Sequence, residues 1–281
     1  MTSRTRKLPD GALVIDGRQQ YGVFKGPLPE INLHELRRPI PFGGRVVQHL
    51  NSIRMKEWQA FQVMDEHCIA LIALYDGKFF ALGQFFLYER STGRRWEYSR
   101  MAPPNAVRIA RGLRGTMSRF SFRGLSLHVH NEADANRYRV IARCAREQHQ
   151  GPLDVALTGH VAADDALAVS LPFTGGRGMY SHKQVLTLSG GIVAGGATFQ
   201  FSPECALMLM DDHKGFYPWP MRYDWVTAAW RDGEGLSWVD PFSPEVWDYN
   251  IEIAEEAASL GFDEIQFDYV RYPGADYDYS R

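Results

Sequence analysis

Four stretches in the middle of the chain alternate apolar and polar residues one by one. In the first, Leu125, Leu127 and Val129 interleave with Ser126, His128 and His130. The pattern returns at 138–143 (Tyr138, Val140, Ala142), at 153–157 (Leu153, Val155, Leu157) and across 166–173. A two-residue period sends successive side chains to opposite faces of a strand. It predicts an antiparallel sheet with one face in the core and one in water. Further strands are predicted at 57–63, 68–75, 78–88, 95–99, 183–188, 192–194, 197–201 and 205–210. Asp76-Gly77 reads as a two-residue hairpin turn, Ser91-Thr92-Gly93 as another turn. Gly190-Gly191 and Gly195-Gly196 permit positive φ or a close approach to the backbone. So many strands without helices between them argue for a mainly β barrel or sandwich.

With 45% apolar residues in 281, the chain can build a real core, as one large domain or two smaller ones. A formal net charge of −2 gives no reason to expect nucleic acid or an anionic membrane as partner. That sum hides a break. Residues 236–281 hold 11 acidic and two basic residues, whereas the preceding 235 hold 29 basic and 22 acidic. Two pieces of opposite bias meet near Gly233–Ser237. Cys68, Cys144 and Cys205 form no close pair, so neither a disulfide framework nor a zinc site is expected. Cys68 and Cys205 lead apolar runs and read as buried thiols. The basic start lacks the apolar stretch of a secretory signal. The apolar run 68–75 is far shorter than the roughly 20 residues that span a bilayer. The expectation is a cytoplasmic protein with no membrane span.

Ionisable and aromatic residues concentrate in Arg177–Trp225. The segment opens with RGMYSHK (177–183) and closes with DDHKGFYPWPMRYDW (211–225). Tyr180 and His182 would share a strand face. Asp211, Asp212, His213 and Lys214 follow the apolar run 205–210, where a buried strand would leave the core. Carboxylate, imidazole and ammonium groups together suit general acid–base chemistry, and equally a satisfied strand end. The expectation is that both groups of charges converge on one apolar hollow.

Two other clusters read as solvated surface. Arg108, Arg111 and Arg114 lie in a Pro-rich segment and suit an exposed face as well as an anion site. His128 and His130 share a face but have no third ligand nearby, so no metal site follows.

The last 45 residues change character. Ser243-Pro244 is an N-cap followed by proline at the first helical position. Trp247, Ile251, Ala254 and Ala258 would line one helical face, and Gly261 would cap its end. A strand with Ile265, Phe267 and Tyr269 on one side follows at 262–270.

Residues 1–235 resemble a bacterial lipocalin-like family of unknown function, distantly akin to carotenoid 1,2-hydratase. The resemblance rests on EWQAF (57–61), YDGKFF (75–80), LPF (171–173), YSHK (180–183) and DDHKGFYPWPMRYDWVTAA (211–229). It implies two β-barrels in tandem, the second incomplete here because the family's later strands are replaced. Residues 238–273, within the piece 236–281, resemble one βα step of a glycoside-hydrolase-type TIM barrel. That likeness implies Asp268 and Arg271 at the strand's C-terminal end, with Asp268 a candidate carboxylate. An incidental fusion accounts for the tail most simply.

Three readings of the site follow. The hydratase resemblance implies proton transfer and water addition across a double bond of a small apolar ligand. Asp211 or Asp212 would be the acid, with His182 or His213 orienting water or taking its proton. Tyr180, Lys183, Lys214, Trp219, Tyr223 and Trp225 would line the ligand site, and no metal or organic cofactor is implied. The second reading is binding of a lipid or isoprenoid without catalysis. The third is structural, with Asp212 paired to Lys214 or Lys183.

Overall fold

The computed structural model describes residues 11–37, 53–145, 147, 150–161, 166–173, 177–217, 230–232, 235–237, 251, 252 and 255. Three short strands come first: β1 (Val14–Ile15), β2 (Arg18–Gln19) and β3 (Gly22–Phe24). A meander follows: β4 (Met55–Met64), β5 (Cys68–Asp76), β6 (Ala81–Glu89) and β7 (Arg95–Ala102). A second meander runs through β8 (Val107–Arg108), β9 (Arg114–Phe122), β10 (Leu125–Glu132), β11 (Arg137–Cys144) and β12 (Leu153–His160). Then come β13 (Ala166–Phe173), β14 (Arg177–Ala194), β15 (Ala197–Phe201) and β16 (Leu207–Phe216). The protein is mainly β, and the alternating segments are strands.

One antiparallel sheet holds 14 of these strands, in the order β7-β6-β5-β4-β16-β14-β12-β11-β10-β9-β8, with β13 and β15 on β14 and β3 on β13. The sheet curls so that β8–β10 pack across from β5–β7. The curl is tight enough that a Cβ on Gly83 in β6 would lie 2.2 Å from the Phe120 ring of β9. Inside it lies the main core, which includes Phe61, Ile72, Phe85, Trp96, Phe120, Leu127, Val140, Val155, Leu188 and Met208. A smaller core joins Leu13, Leu28 and Leu33 to Ala168, Tyr180, Met55 and Phe216. Burying each large side chain contributes about 1.5–3 kcal/mol.

The element that joins the two cores is β14. Its first half pairs with β13 on one side and β16 on the other. From Thr187 onward it pairs with β12, and from Gly190 with β15. Two predicted strands with a glycine hinge between them are thus one strand of 18 residues. Gly190 adopts φ +115°, and a Cβ there would sit 2.1 Å from the Ala156 carbonyl oxygen of β12. The close approach that its glycine permits is to a neighbouring strand. Gly195-Gly196, both at positive φ, form the β14–β15 turn.

Three other expectations change. The β5–β6 connection spans Gly77–Phe80 rather than Asp76-Gly77, because Asp76 pairs with Ala81. Its positive φ falls on Lys78, whose N–H donates to Asp76 Oδ1 at 2.8 Å. Cys205 is exposed, since the chain turns at Ser202–Ala206 before β16 begins; Cys68 and Cys144 are buried. Asp211–Lys214 do not follow a strand but lie within β16, all ten residues of which are buried.

Residues 219–281, with 1–5, form a separate compact unit. Its described parts are the antiparallel pair β17 (Trp230–Asp232) and β18 (Gly235–Ser237), and exposed helical residues Ile251, Glu252 and Glu255. Ile251, expected on an apolar helical face, is 49% exposed. The remainder of the expected helix and the strand at 262–270 lie outside the described residues. Among the described residues, no helix is long and apolar enough to cross a membrane.

Candidate functional site

The site is set by register. Across β14 and β16, Tyr180 faces Lys214, Ser181 faces His213, His182 faces Asp212, and Lys183 faces Asp211. Across β16 and β4, Asp211 faces Ala60, Asp212 faces Gln59, His213 faces Trp58, and Lys214 faces Glu57. Directly opposed residues share a face, and the next pair along lies on the other. The predicted cluster therefore splits. Tyr180, His182, Asp212 and Lys214 lie on the face that carries the main core. Lys183, Asp211 and His213 lie on the opposite face. The expectation of one shared hollow is corrected: adjacent residues of a strand cannot converge.

On the core-bearing face, Asp212 and Lys214 form an ion pair at 2.5 Å, each 1% exposed. Burial pushes the Asp212 carboxyl up to about 6, against the opposing pull of the Lys214 ammonium. Its Oδ1 has no hydrogen-bond partner. His182 is fully buried, and burial holds its imidazole down to about 4. Its Nε2 lies 3.4 Å from Gln184 Oε1, while Nδ1 has no partner. The Tyr180 hydroxyl accepts a hydrogen bond from the Leu28 N–H at 3.3 Å, and the ring is part of the smaller core. Burial raises its phenol.

On the other face, Asp211 is saturated. Lys183 Nζ donates to its Oδ1 at 2.9 Å and Trp58 Nε1 to its Oδ2 at 2.8 Å. The His213 ring stacks on Trp58, with centroids 4.3 Å apart and planes at 12°. Tyr217 stacks beyond them. Burial first, then Lys183 and Lys214, lowers His213 well below the ordinary imidazole range.

Three residues of the site escaped the sequence reading. Gln59 is fully buried and donates from Nε2 to Asn131 Oδ1 at 2.7 Å, across the inside of the curl. Tyr138 of β11 faces Asn131 of β10, and its hydroxyl is buried without a partner. A signal for Asn131 was present: it holds the fourth inward position after Leu125, Leu127 and Val129. Trp219, Tyr223, Trp225, Asp268 and Arg271 lie outside the described residues. Among those described, no group of three or more His, Cys, Asp or Glu side chains is arranged to hold a metal. His128 and His130 sit on the outer face of β10, and Arg108, Arg111 and Arg114 are exposed.

The family described as a domain of unknown function (DUF2804) matches residues 5–237. The chain belongs to this family. A second family, described as "putative glycosyl hydrolase domain" (DUF4015), matches residues 220–280, and the two matches overlap. No curated protein matches this DUF2804 chain. Several solved structures resemble it, three of which are the following. CghA does so with a TM-score of 0.44 and 12% identity over 74% of this chain and 55% of that one. CghA with Sch210972 gives 0.40 and 13%, over 57% and 45%. Kievitone hydratase from Nectria haematococca gives 0.39 and 9%, over 70% and 55%. The chain spans about half the length of each.

Proposed function

We propose that this protein binds a small apolar ligand against the core-bearing face of β4, β16 and β14, and that Asp212 protonates a carbon–carbon double bond of that ligand. The observation that carries this reading is the Asp212 carboxyl. It is buried, raised to about 6, held on one oxygen by Lys214 and without a hydrogen-bond partner on the other. A carboxyl with that value keeps an appreciable protonated fraction near neutral pH, which a general acid needs. After transfer, Lys214 stabilises the carboxylate left behind. Asp211 lacks these features, since both its oxygens are occupied and it faces away. Apolar neighbours on both sides of the polar row, Met210 and Phe61 on one and Met55 and Phe216 on the other, suit an apolar ligand.

The test is mass spectrometry of lipid and isoprenoid extracts incubated with the protein in 18O-labelled water. A hydratase adds the mass of one labelled water to its ligand. Asp212→Asn is expected to keep the ligand bound and to lower turnover at least ~100-fold. Turnover unchanged in Asp212→Asn removes the acid assignment. Co-purifying lipid without conversion by the wild type would support binding alone.

The match of residues 220–280 favours one further reading, glycoside hydrolysis through Asp268. It requires sugar release by the full chain that disappears in Asp268→Asn.

A further inference from the structure

The row His182–Asp212–Gln59 crosses three adjacent strands, β14, β16 and β4, with each residue directly opposite the next. Each of the three carries one buried polar atom without a partner: His182 Nδ1, Asp212 Oδ1 and Gln59 Oε1. Neighbouring side chains of such a row start about 5 Å apart. Tyr138 adds a fourth such atom from β11, its hydroxyl oxygen. Its strand neighbour Asn131 is bonded to Gln59.

The chemistry of these atoms is fixed by their surroundings. The Thr116 hydroxyl donates to the Gly112 carbonyl at 2.5 Å, so it accepts from Asn131 Nδ2 at 3.3 Å. Asn131 Oδ1 is then the acceptor for Gln59 Nε2, and Gln59 presents its carbonyl oxygen to the row. At His182, the Gln184 carbonyl oxygen 3.4 Å from Nε2 favours the tautomer that carries its proton on Nε2 and leaves Nδ1 as a bare acceptor. Two acceptors flank Asp212, and Tyr138 can donate. An anion is disfavoured by this set, and a cation by the Lys214 ammonium that already neutralises Asp212. Buried polar groups of this kind are normally satisfied, and water does so with two to four partners.

We infer that this row is a binding subsite for O–H groups, and that it holds the water a hydration consumes, with His182 Nδ1 as the atom that takes its proton. The inference rests on the reading of Asp212 as acid. One O–H bond of the water breaks and its proton goes to His182 Nδ1. The oxygen bonds to one carbon of the double bond, and the π electron pair takes the Asp212 proton at the other carbon. The imidazolium then returns a proton to the Asp212 carboxylate through solvent. Water is the only co-reactant, and the enzyme is restored.

The experiment uses the full chain, labelled with 15N and 13C in histidine, without added ligand. NMR is expected to show His182 protonated at Nε2 alone, with a cross-relaxation peak between water and its Hε1 proton. Gln59→Met and Tyr138→Phe are each expected to weaken that peak several-fold. A ring protonated at Nδ1, or no water peak in the wild type, overturns the inference. Adding 1-octanol is expected to leave the peak in place. Its loss with 1-octanol, but not with octane, would assign the subsite to a ligand hydroxyl and overturn the water assignment. The water peak present while Asp212→Asn retains full turnover leaves the subsite and removes the acid. The converse pattern removes the subsite alone.

Discussion

Asp212 and Lys214 concentrate the energetic risk of the fold in two side chains. An ion pair this deep gains little net stability, but removing one partner leaves an uncompensated buried charge. Lys214→Met is expected to cost about 3–5 kcal/mol in urea denaturation. The double variant Asp212→Leu/Lys214→Met is expected to recover most of that loss. The same neighbourhood sets a pH dependence. His182, lowered to about 4, and His213, held well below the ordinary imidazole range by burial and then by Lys183 and Lys214, stay neutral in the fold while the unfolded chain takes up protons below about 6.5. Their contribution is present above that value and is lost as pH falls toward 4. Asp212 acts oppositely: raised to about 6, it holds its proton where the unfolded chain has released it. Its contribution is therefore lost as pH rises from about 4 to about 6. Two imidazoles oppose one carboxyl, so stability is expected to rise with pH over 4–6.5. His182→Gln is expected to flatten that rise, measured by denaturant titration at each pH.

At the level of elements, legibility followed periodicity. Half-wet strands such as β10 and β12 announce themselves because every second residue is polar. In β16 every residue is buried, so no period shows. Its charges then read as a strand end instead of paired side chains within a strand. The i, i+2 rule correctly put Tyr180 with His182. The same rule allows the Asp212–Lys214 pair within β16, whereas the Lys183–Asp211 pair depended on the β14–β16 register, which no local pattern encodes. Gln59 and Tyr138 were passed over because each is locally an ordinary strand residue. Their role comes from strands far apart in sequence. The glycines of β6 and β14 carry their own test. Gly83→Ala drives a methyl into Phe120 and is expected to cost about 1–3 kcal/mol by overpacking. Gly190→Ala combines an unfavourable φ with a backbone clash and is expected to cost at least ~2 kcal/mol by thermal denaturation.

At the largest scale, β14 contributes to both cores of the unit 6–218, which predicts that they open as one cooperative body. Amide hydrogens in 179–187 and in 188–194 are expected to exchange with the same opening free energy, measured by native-state hydrogen exchange. Two separate opening energies would mean that the cores melt independently. The charge break near Gly233–Ser237 lies inside the overlap of the two family matches, so composition alone pointed to that region. The long reach of the sheet also governs how the protein is made. Trp58 of β4 bonds to Asp211 of β16, 153 residues later. At translation rates of about 5–20 residues per second, the ribosome needs roughly 8–30 s to deliver that partner. For that interval the nascent β4–β7 meander offers an unclaimed strand border to any other chain nearby. A holding chaperone that covers that border until β16 arrives is therefore expected to raise the yield of folded protein.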